Sequence, residues 1–531
     1  MKKIILPLSL VFALASTQAF AVDLVNGDHT WSDQDVNGGY TSFSGAPTTI
    51  PTDVVSHTSG THTIDFDWTL KKLTSLWDTN KPTFKIASGK VLTITEYRGS
   101  FRGANNRNAI VTFTGDASTT AVPYGLVFTN GMRIVPTESE STLLGVNSTY
   151  DVNLDIATNF TAAETTLYTD NGSKVVVQAD GTLGKRVSAG INVLKSANFE
   201  GSLVLNTTLY NGVTNYTPLA FRVGSSSNST ATATIAKSFT MKSDYTSLDV
   251  YGTMNVNGNI DASKGSVVIR KGGTLQLNYT NTDKKFYTMS FKNLDVYGTL
   301  YYKTSSVEVN QDTFLVAEGG TINVKSGGML KASGSGERHV LIGKNATLSY
   351  EEGALKNSGV NRIKLVGDGA TLKLNSNVLG SSHITFSVGD ITTNLVIGTD
   401  ITVERFHLWG TNNVDVNITI DNGATLSVKD IFGSPGSNSF YYYARDFDFI
   451  LKGFEDNGET SSVRFTSSSF ITDVRKHQDW VSEAFQAEGW ENFYVDENGY
   501  LRATQVIPEP AEWAMILGAL ALGFVFYRRR R

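Results

Sequence analysis

Between residues 245 and 430 one phrase keeps returning: a turn containing Gly or Asn, then Thr, then an apolar, any, apolar triplet. It reads Gly252-Thr253-Met254-Asn255-Val256, Gly273-Thr274-Leu275-Gln276-Leu277, Gly298-Thr299-Leu300-Tyr301-Tyr302 and Gly320-Thr321-Ile322-Asn323-Val324. Looser copies are Ala346-Thr347-Leu348-Ser349-Tyr350, Ala370-Thr371-Leu372-Lys373-Leu374 and Ala424-Thr425-Leu426-Ser427-Val428. Successive threonines lie 21, 25, 22, 26 and 24 residues apart, then 54, which is two steps of 27. Leu-Asp-Val-Tyr-Gly-Thr occurs twice, at 248–253 and 294–299, again two steps apart. A period near 25 is too short for a propeller blade and fits one coil of a parallel β-helix. An array of β-sandwiches also spaces strands regularly, but it has no reason to hold one phrase at one spacing for seven steps.

The expected fold class is therefore all-β, a parallel β-helix with repeats of about 25 residues over 241–430. Alternate residues of a strand face opposite sides, so Met254 and Val256, or Leu275 and Leu277, should point inward. Second strands at Val267/Ile269, Val307/Val309, Val340/Ile342 and Ile363/Leu365 complete each coil. Residues 22–240 keep the same texture less regularly, as in 61–68 and 90–94, and read as an irregular solenoid region with longer insertions. Phe20 to Trp31 would hold its N-terminal cap. After Ile431 the texture changes, and 431–506 is expected to form a C-terminal β cap that covers the open edge of the ladder. Within it, Asn498-Gly499 between alternating apolar residues signals a two-residue hairpin. In pattern, the layout resembles autotransporter passengers and other adhesin-like solenoids.

Composition supports strands and turns. Only 18% of residues are charged, against about 25% in a typical chain. There is no cysteine, which excludes thiolate metal sites, catalytic cysteines and disulfides. Apart from its two ends, residues 22–507 carry a net charge of about −9. An acidic body of this kind argues against nucleic acid as a partner, because phosphate binding needs clustered Lys and Arg.

Both ends carry address-like segments. Lys2 and Lys3, an apolar run from Ile4 to Ala15, and an Ala19-x-Ala21 site make a secretory signal peptide over 1–21, cleaved before Val22. At the other end, 507–531, Pro508-Glu509-Pro510 precedes an apolar stretch from Trp513 to Tyr527 and the terminal Arg528, Arg529, Arg530 and Arg531. The prolines keep the tripeptide extended. The apolar helix is near the lower limit for a transmembrane span, and the arginines would hold its end on the cytoplasmic side. Pro-Glu-Pro, a short apolar helix and an arginine cluster together resemble the PEP-CTERM sorting domain. The resemblance covers Pro508 to Arg531. It implies export in a Gram-negative-type bacterium and a transient anchor in the inner membrane. It further implies cleavage near the motif by an exosortase, a membrane processing enzyme, and delivery to the cell surface or extracellular matrix. Glycosylation is implied as well, and sequons such as those at Asn147, Asn206 and Asn345 are present.

Catalytic signals are few. No phosphate loop, His-Glu-x-x-His, Gly-x-Ser-x-Gly or EF-hand loop is present. Asp65 and Asp67, and likewise Asp446 and Asp448, could share a strand face, but a solvated outer face explains them as well. Arg98, Arg102 and Arg107 among aromatic residues could grip an acidic sugar, or belong to a polar loop. The seven histidines show no ligand spacing beyond His57 and His62. No cofactor or metal is implied. These features lead to the expectation of a non-enzymatic, exported surface or matrix protein whose partner is extracellular polysaccharide. The alternatives are a carbohydrate-active β-helix enzyme and a permanently anchored adhesin.

Overall fold

A computed structural model describes residues 21–24, 29–30, 53–56, 60–77, 82–101, 108–115, 126–129, 132–135, 148–162, 165–169, 185–207, 219–278, 289–303, 313–316, 318–334, 338–386, 390–408, 414–432, 447–506 and 510–529. The chain divides into two compact units. One comprises residues 1–163, 169–188 and 209–215, and the other 164–168, 189–208 and 216–531.

In the first unit every described pairing is parallel. Asp53–Ser56 lies between Ala21–Leu24 and the Lys72–Ser75 part of a longer strand. His29–Thr30, Gly60–Ile64 and Pro82–Ile86 form a second series. The third runs from Trp68–Leu70 through Leu92–Ile94 and Leu126–Phe128 to Phe160–Ala162. The segment expected as a cap thus already supplies rungs at Ala21–Leu24 and His29–Thr30. Phenylalanines fill the interior: ring centroids are 5.2 Å apart for Phe84 and Phe113, 6.2 Å for Phe113 and Phe128, and 6.0 Å for Phe128 and Phe160.

The second unit is built of parallel coils with three strand positions. On the first sheet, Phe221, Leu248, Val267, Leu294, Ile322, Leu348, Leu372, Leu395 and Ile418 follow one another in register. Every one of these side chains is buried, which is what aliphatic residues at alternate strand positions are driven to by the loss of water contact. A second column two residues on, Val250, Ile269, Val296, Val324, Tyr350, Leu374 and Ile397, is equally buried. The second sheet carries Met254, Leu275, Leu300 and Leu330 in the same manner. A separate parallel sheet of seven strands runs from Thr313–Val316 to Val463–Phe465.

The inward residues expected at 254–277 are buried, as are the second strands at Val267/Ile269, Val340/Ile342 and Ile363/Leu365. Val307 and Val309 lie outside the described residues. One expectation needs correction: the recurring phrase does not mark a single ladder. Thr253, Thr274 and Thr299 are in register on the second sheet, but Thr299 then pairs with Met329. Thr321, Thr347 and Thr371 stand on the first sheet, where Thr321 pairs with Asn293. Leu426 pairs with Ile401 and Val463 in the stretch of the seven-stranded sheet that precedes Arg405 and Asp430, directly after the first-sheet strand Val414–Ile420. The phrase encodes what a corner-to-strand transition needs, a tight turn followed by alternation, and so it is not tied to one strand position.

Parallel pairing continues past Ile431. Phe447–Lys452 lies beside Val414–Thr419, Val463–Phe465 beside Leu426–Val428, and Phe449–Leu451 beside Phe485–Ala487. The architecture then changes to two short helices, α1 (Ser468–Val474) and α2 (Gln478–Ala484), and an antiparallel pair, Trp490–Val495 with Leu501–Gln505. Ser467 caps α1 by accepting from the Phe470 amide at 3.3 Å. The hairpin turn has three residues rather than two. The Asp496 amide donates to Tyr500 O at 3.0 Å, and Gly499 takes φ +84°, the left-handed position that a three-residue loop requires. Arg502 locks this region: it donates to Asp496 Oδ2 at 2.8 Å, Asp456 Oδ1 at 2.8 Å and Glu459 O at 2.9 Å.

Helix α3, Pro510–Arg529, contains the apolar tail. The expected transmembrane span is corrected here: among the described residues, no helix is long and apolar enough to cross a membrane. The charge-free stretch Trp513–Tyr527 rises only about 22 Å, against a hydrocarbon core of about 30 Å.

Candidate functional site

The repeated hexapeptide divides cleanly between residues the fold requires and residues it does not. Leu248 and Leu294, with Val250 and Val296, belong to the buried columns. Gly252 and Gly298 sit at corners so tight that an added Cβ would lie 2.1 Å from Ala231 O and 2.2 Å from Gly273 O, respectively. Thr253 and Thr299 open strands of the second sheet. Asp249 and Tyr251, and their counterparts Asp295 and Tyr297, are the members that neither packing nor the turn explains. Both pairs face away from the aliphatic columns.

The corner repeats from coil to coil through the same backbone bond. The Tyr251 amide donates to Val223 O (2.8 Å), Arg270 to Val250 O (2.9 Å), Tyr297 to Ile269 O (2.8 Å) and Lys325 to Val296 O (2.9 Å). Tyr251, Arg270, Tyr297 and Lys325 therefore form one row, a residue from each coil. A neighbouring row places Asp249, Val268, Asp295 and Asn323 in register.

Cations from the next coil complete each pair. Arg270 donates through Nε to Asp249 Oδ1 at 2.8 Å and through Nη2 at 2.5 Å, and its guanidinium lies 5.6 Å from the Tyr251 ring centre. Partial burial alone would lower the Arg270 pKa, but the hydrogen bond and charge of Asp249 outweigh it and hold the pKa above its ordinary value. Lys325 stands 3.7 Å from Asp295 Oδ1 and donates to Glu351 Oε1 at 2.6 Å, and that bond raises its pKa. Asn323 donates to Asp295 Oδ1 at 3.1 Å. Arg222 approaches Asp249 at 3.9 Å and donates to Asn192 Oδ1 at 3.2 Å. Each cluster thus presents an aromatic ring, a carboxylate held in place and a cation, with Tyr297 38% exposed.

A different polar row occupies the seven-stranded sheet. Thr313, His339, Arg362 and His383 are register partners in turn, as are Arg405 and Asp430, and Lys364, Thr385 and His407 form a matching row two residues along. His339 and His407 are each only 2% exposed. Burial, together with Arg362 and Lys364, depresses the pKa of His339 to about 3 and that of His407 to about 4. His383 is lowered by burial and then by Arg405 and Arg362. Arg405 forks onto Asp430 at 2.5 and 2.9 Å. A further acidic pair, Asp415 and Asp448, are register partners, and burial followed by Asp415 raises the Asp448 pKa.

The residues singled out in the sequence fare unevenly. Asp65 and Asp67 flank a corner between Gly60–Ile64 and Trp68–Trp77 rather than sharing a strand face, and Asp67 Oδ1 accepts from the Val91 amide at 3.0 Å. Arg98 lies in the strand Leu92–Phe101, while Arg102, Arg107, His57 and Asp446 lie outside the described residues. Of the sorting residues, Pro510 opens α3 and Arg528 and Arg529 close it, while Pro508, Glu509, Arg530 and Arg531 lie outside the described residues. Ala19 does so too, and Ala21 begins the strand Ala21–Leu24. Among the described residues there is no group of three His, Asp or Glu able to hold a metal. Sequence reasoning overlooks the Asp–Tyr clusters as a site, although the recurrence of an unbroken hexapeptide 46 residues apart is the signal for them. No family model, curated protein or solved structure matches the chain.

Proposed function

We propose that this chain is an exported, non-enzymatic surface or matrix protein whose parallel coils contact extracellular polysaccharide. The observation that carries the reading is the outward Asp–Tyr–cation cluster, repeated on coils whose fold does not need it. Tyrosine offers a flat apolar face for a sugar ring, and anchored carboxylate, amide and guanidinium groups offer paired hydrogen bonds to hydroxyls. The ends supply the address. A signal peptide ending at Ala19-x-Ala21 would start export. Pro508-Glu509-Pro510, the short helix and the terminal arginines would make a PEP-CTERM-like signal, cut by an exosortase-type enzyme. A charge-free stretch too short for a lasting span suits a transient foothold at the inner membrane. Mass spectrometry of the extracellular form tests this part. The expected form lacks Arg528–Arg531; an intact tail on shed protein would sink the processing scheme, and protein found only in the membrane fraction with its tail intact would favour a permanently anchored adhesin. Screening the full chain against a polysaccharide panel for retention and for product release tests the rest.

A second reading, a carbohydrate-active enzyme, has one observation in its favour: the side-by-side Asp415 and Asp448, with the pKa of the latter raised. Two carboxyl groups whose proton affinities are pushed apart can divide acid and base roles. If the panel yields product, and Asp448→Asn abolishes it, that reading replaces the first.

A further inference from the structure

We propose that the two clusters, Asp249–Tyr251–Arg270 and Asp295–Tyr297–Lys325, are equivalent subsites for a single uncharged, linear polysaccharide lying along the stacking direction of the coils. This rests on the reading that the coils bind polysaccharide, and it names the class and the pose.

Spacing is the first argument. Neighbouring parallel strands are about 4.8 Å apart, so residues two coils apart are separated by roughly 9.6 Å. That is close to the advance of two sugar rings in an extended chain, so a polymer with a two-ring repeat would meet Tyr251 and Tyr297 with the same face each time. Val268, between Asp249 and Asp295 in the same row, gives the intervening ring an apolar floor.

Charge is the second. Within the two clusters Arg222, Arg270 and Lys325 are the cations and Asp249, Asp295 and Glu351 the anions, and each of these cations is already held by a carboxylate, while Lys373, farther along the Asp249 row, is exposed. An acidic polymer would have to displace Asp249 and Asp295 to reach the cations, and like charges brought that close repel. A neutral chain meets none of that cost. It finds donors and acceptors fixed before it arrives, so little side-chain freedom is lost on binding. The hexapeptide recurrence is the third argument: the fold accounts for its Leu, Val, Gly and Thr, while a two-ring ligand accounts for the Asp and Tyr.

Calorimetry on the full chain with a soluble linear β-glucan and with a polyuronate decides the matter. Glucan binding should weaken by about tenfold in Tyr297→Ala and in Asp295→Ala, and fall below detection in Tyr251→Ala/Tyr297→Ala. Tyr297→Phe should retain most of it. Raising salt from about 50 to about 500 mM should change glucan affinity by less than about twofold, since screening acts on net charge. Unchanged thermal unfolding in the variants separates lost binding from lost fold. If neither polymer nor any other glycan binds, the functional reading and the inference fall together. If glucan binds the double variant as tightly as the parent, or the polyuronate binds better and loses affinity with salt, the reading stands and the inference is overturned.

Discussion

Two polar rows on the coils of the second unit differ more in their access to water than in their composition. On the first sheet the side opposite the aliphatic columns holds Asp249, Tyr251, Arg270, Tyr297 and Lys325, partly or largely open to water. On the seven-stranded sheet the corresponding side holds His339, Arg362, His383, Arg405 and Asp430, and there His339 and His407 are almost wholly enclosed. Register tells which side chains are neighbours from coil to coil. It does not tell whether water reaches them, and that decides whether a polar row is a surface or part of the interior.

The contrast can be broken most forcefully with acid. His339 and His407 are neutral in the fold, with pKa values of about 3 and about 4, while in the unfolded chain they titrate near 6.5. Well above about pH 6.5 neither state is protonated and the difference vanishes. As pH falls through about 6.5, the unfolded chain takes up protons first, so stability should drop, by on the order of 6 kcal/mol for the pair by pH 4. Urea midpoints at pH 7, 5.5 and 4 measure it, and His339→Gln/His407→Gln should show a flatter curve. A parent midpoint that does not move would mean that the histidine face is open after all.

Next in size is a change common to both faces. Leu348→Ala, in the middle of a buried column, should cost about 2–4 kcal/mol and lower the urea midpoint. Gly298→Ala should cost less, about 1–3 kcal/mol, because its Cβ would meet Gly273 O at 2.2 Å and the corner must give way. The same change at Gly272, where nothing lies within 4 Å but φ is +81°, introduces only backbone strain and gives the comparison for Gly298. Smallest of all is Tyr297→Ala, expected to alter stability by less than about 0.5 kcal/mol. A larger loss on thermal unfolding would make this tyrosine part of the scaffold and bring the two faces closer in character.

Much of the second unit is legible in the amino-acid order itself. Period, inward alternation and second strands follow from elementary strand geometry, and Met254, Leu275, Val267 and Ile363 are where that geometry places them. The sheet on which each phrase falls is not legible, because Gly-Thr followed by alternation serves every corner equally. The histidine row is hidden for a related reason. Ligand spacing is usually sought within a few residues, whereas in a coil the neighbours of His339 are Arg362 and, beyond it, His383, about one turn of the solenoid away each time. Asn498-Gly499 announces a reversal but not its length, which the bonds of Asp496 set by closing a longer loop. The tail's helix is legible from its apolar run, while its adequacy as a span depends on where Glu512 and Arg528 interrupt it.

The duplication of two full coils has a bearing on how such a chain can change length. Inserting or deleting 46 residues, the distance between the two hexapeptides, returns the backbone to the same corner and adds or removes one whole cluster. An indel of one coil would keep the hydrophobic columns intact yet place an arginine-type row where a tyrosine is due, leaving the repeat out of phase. Natural size variants should therefore differ by pairs of turns more often than by single ones.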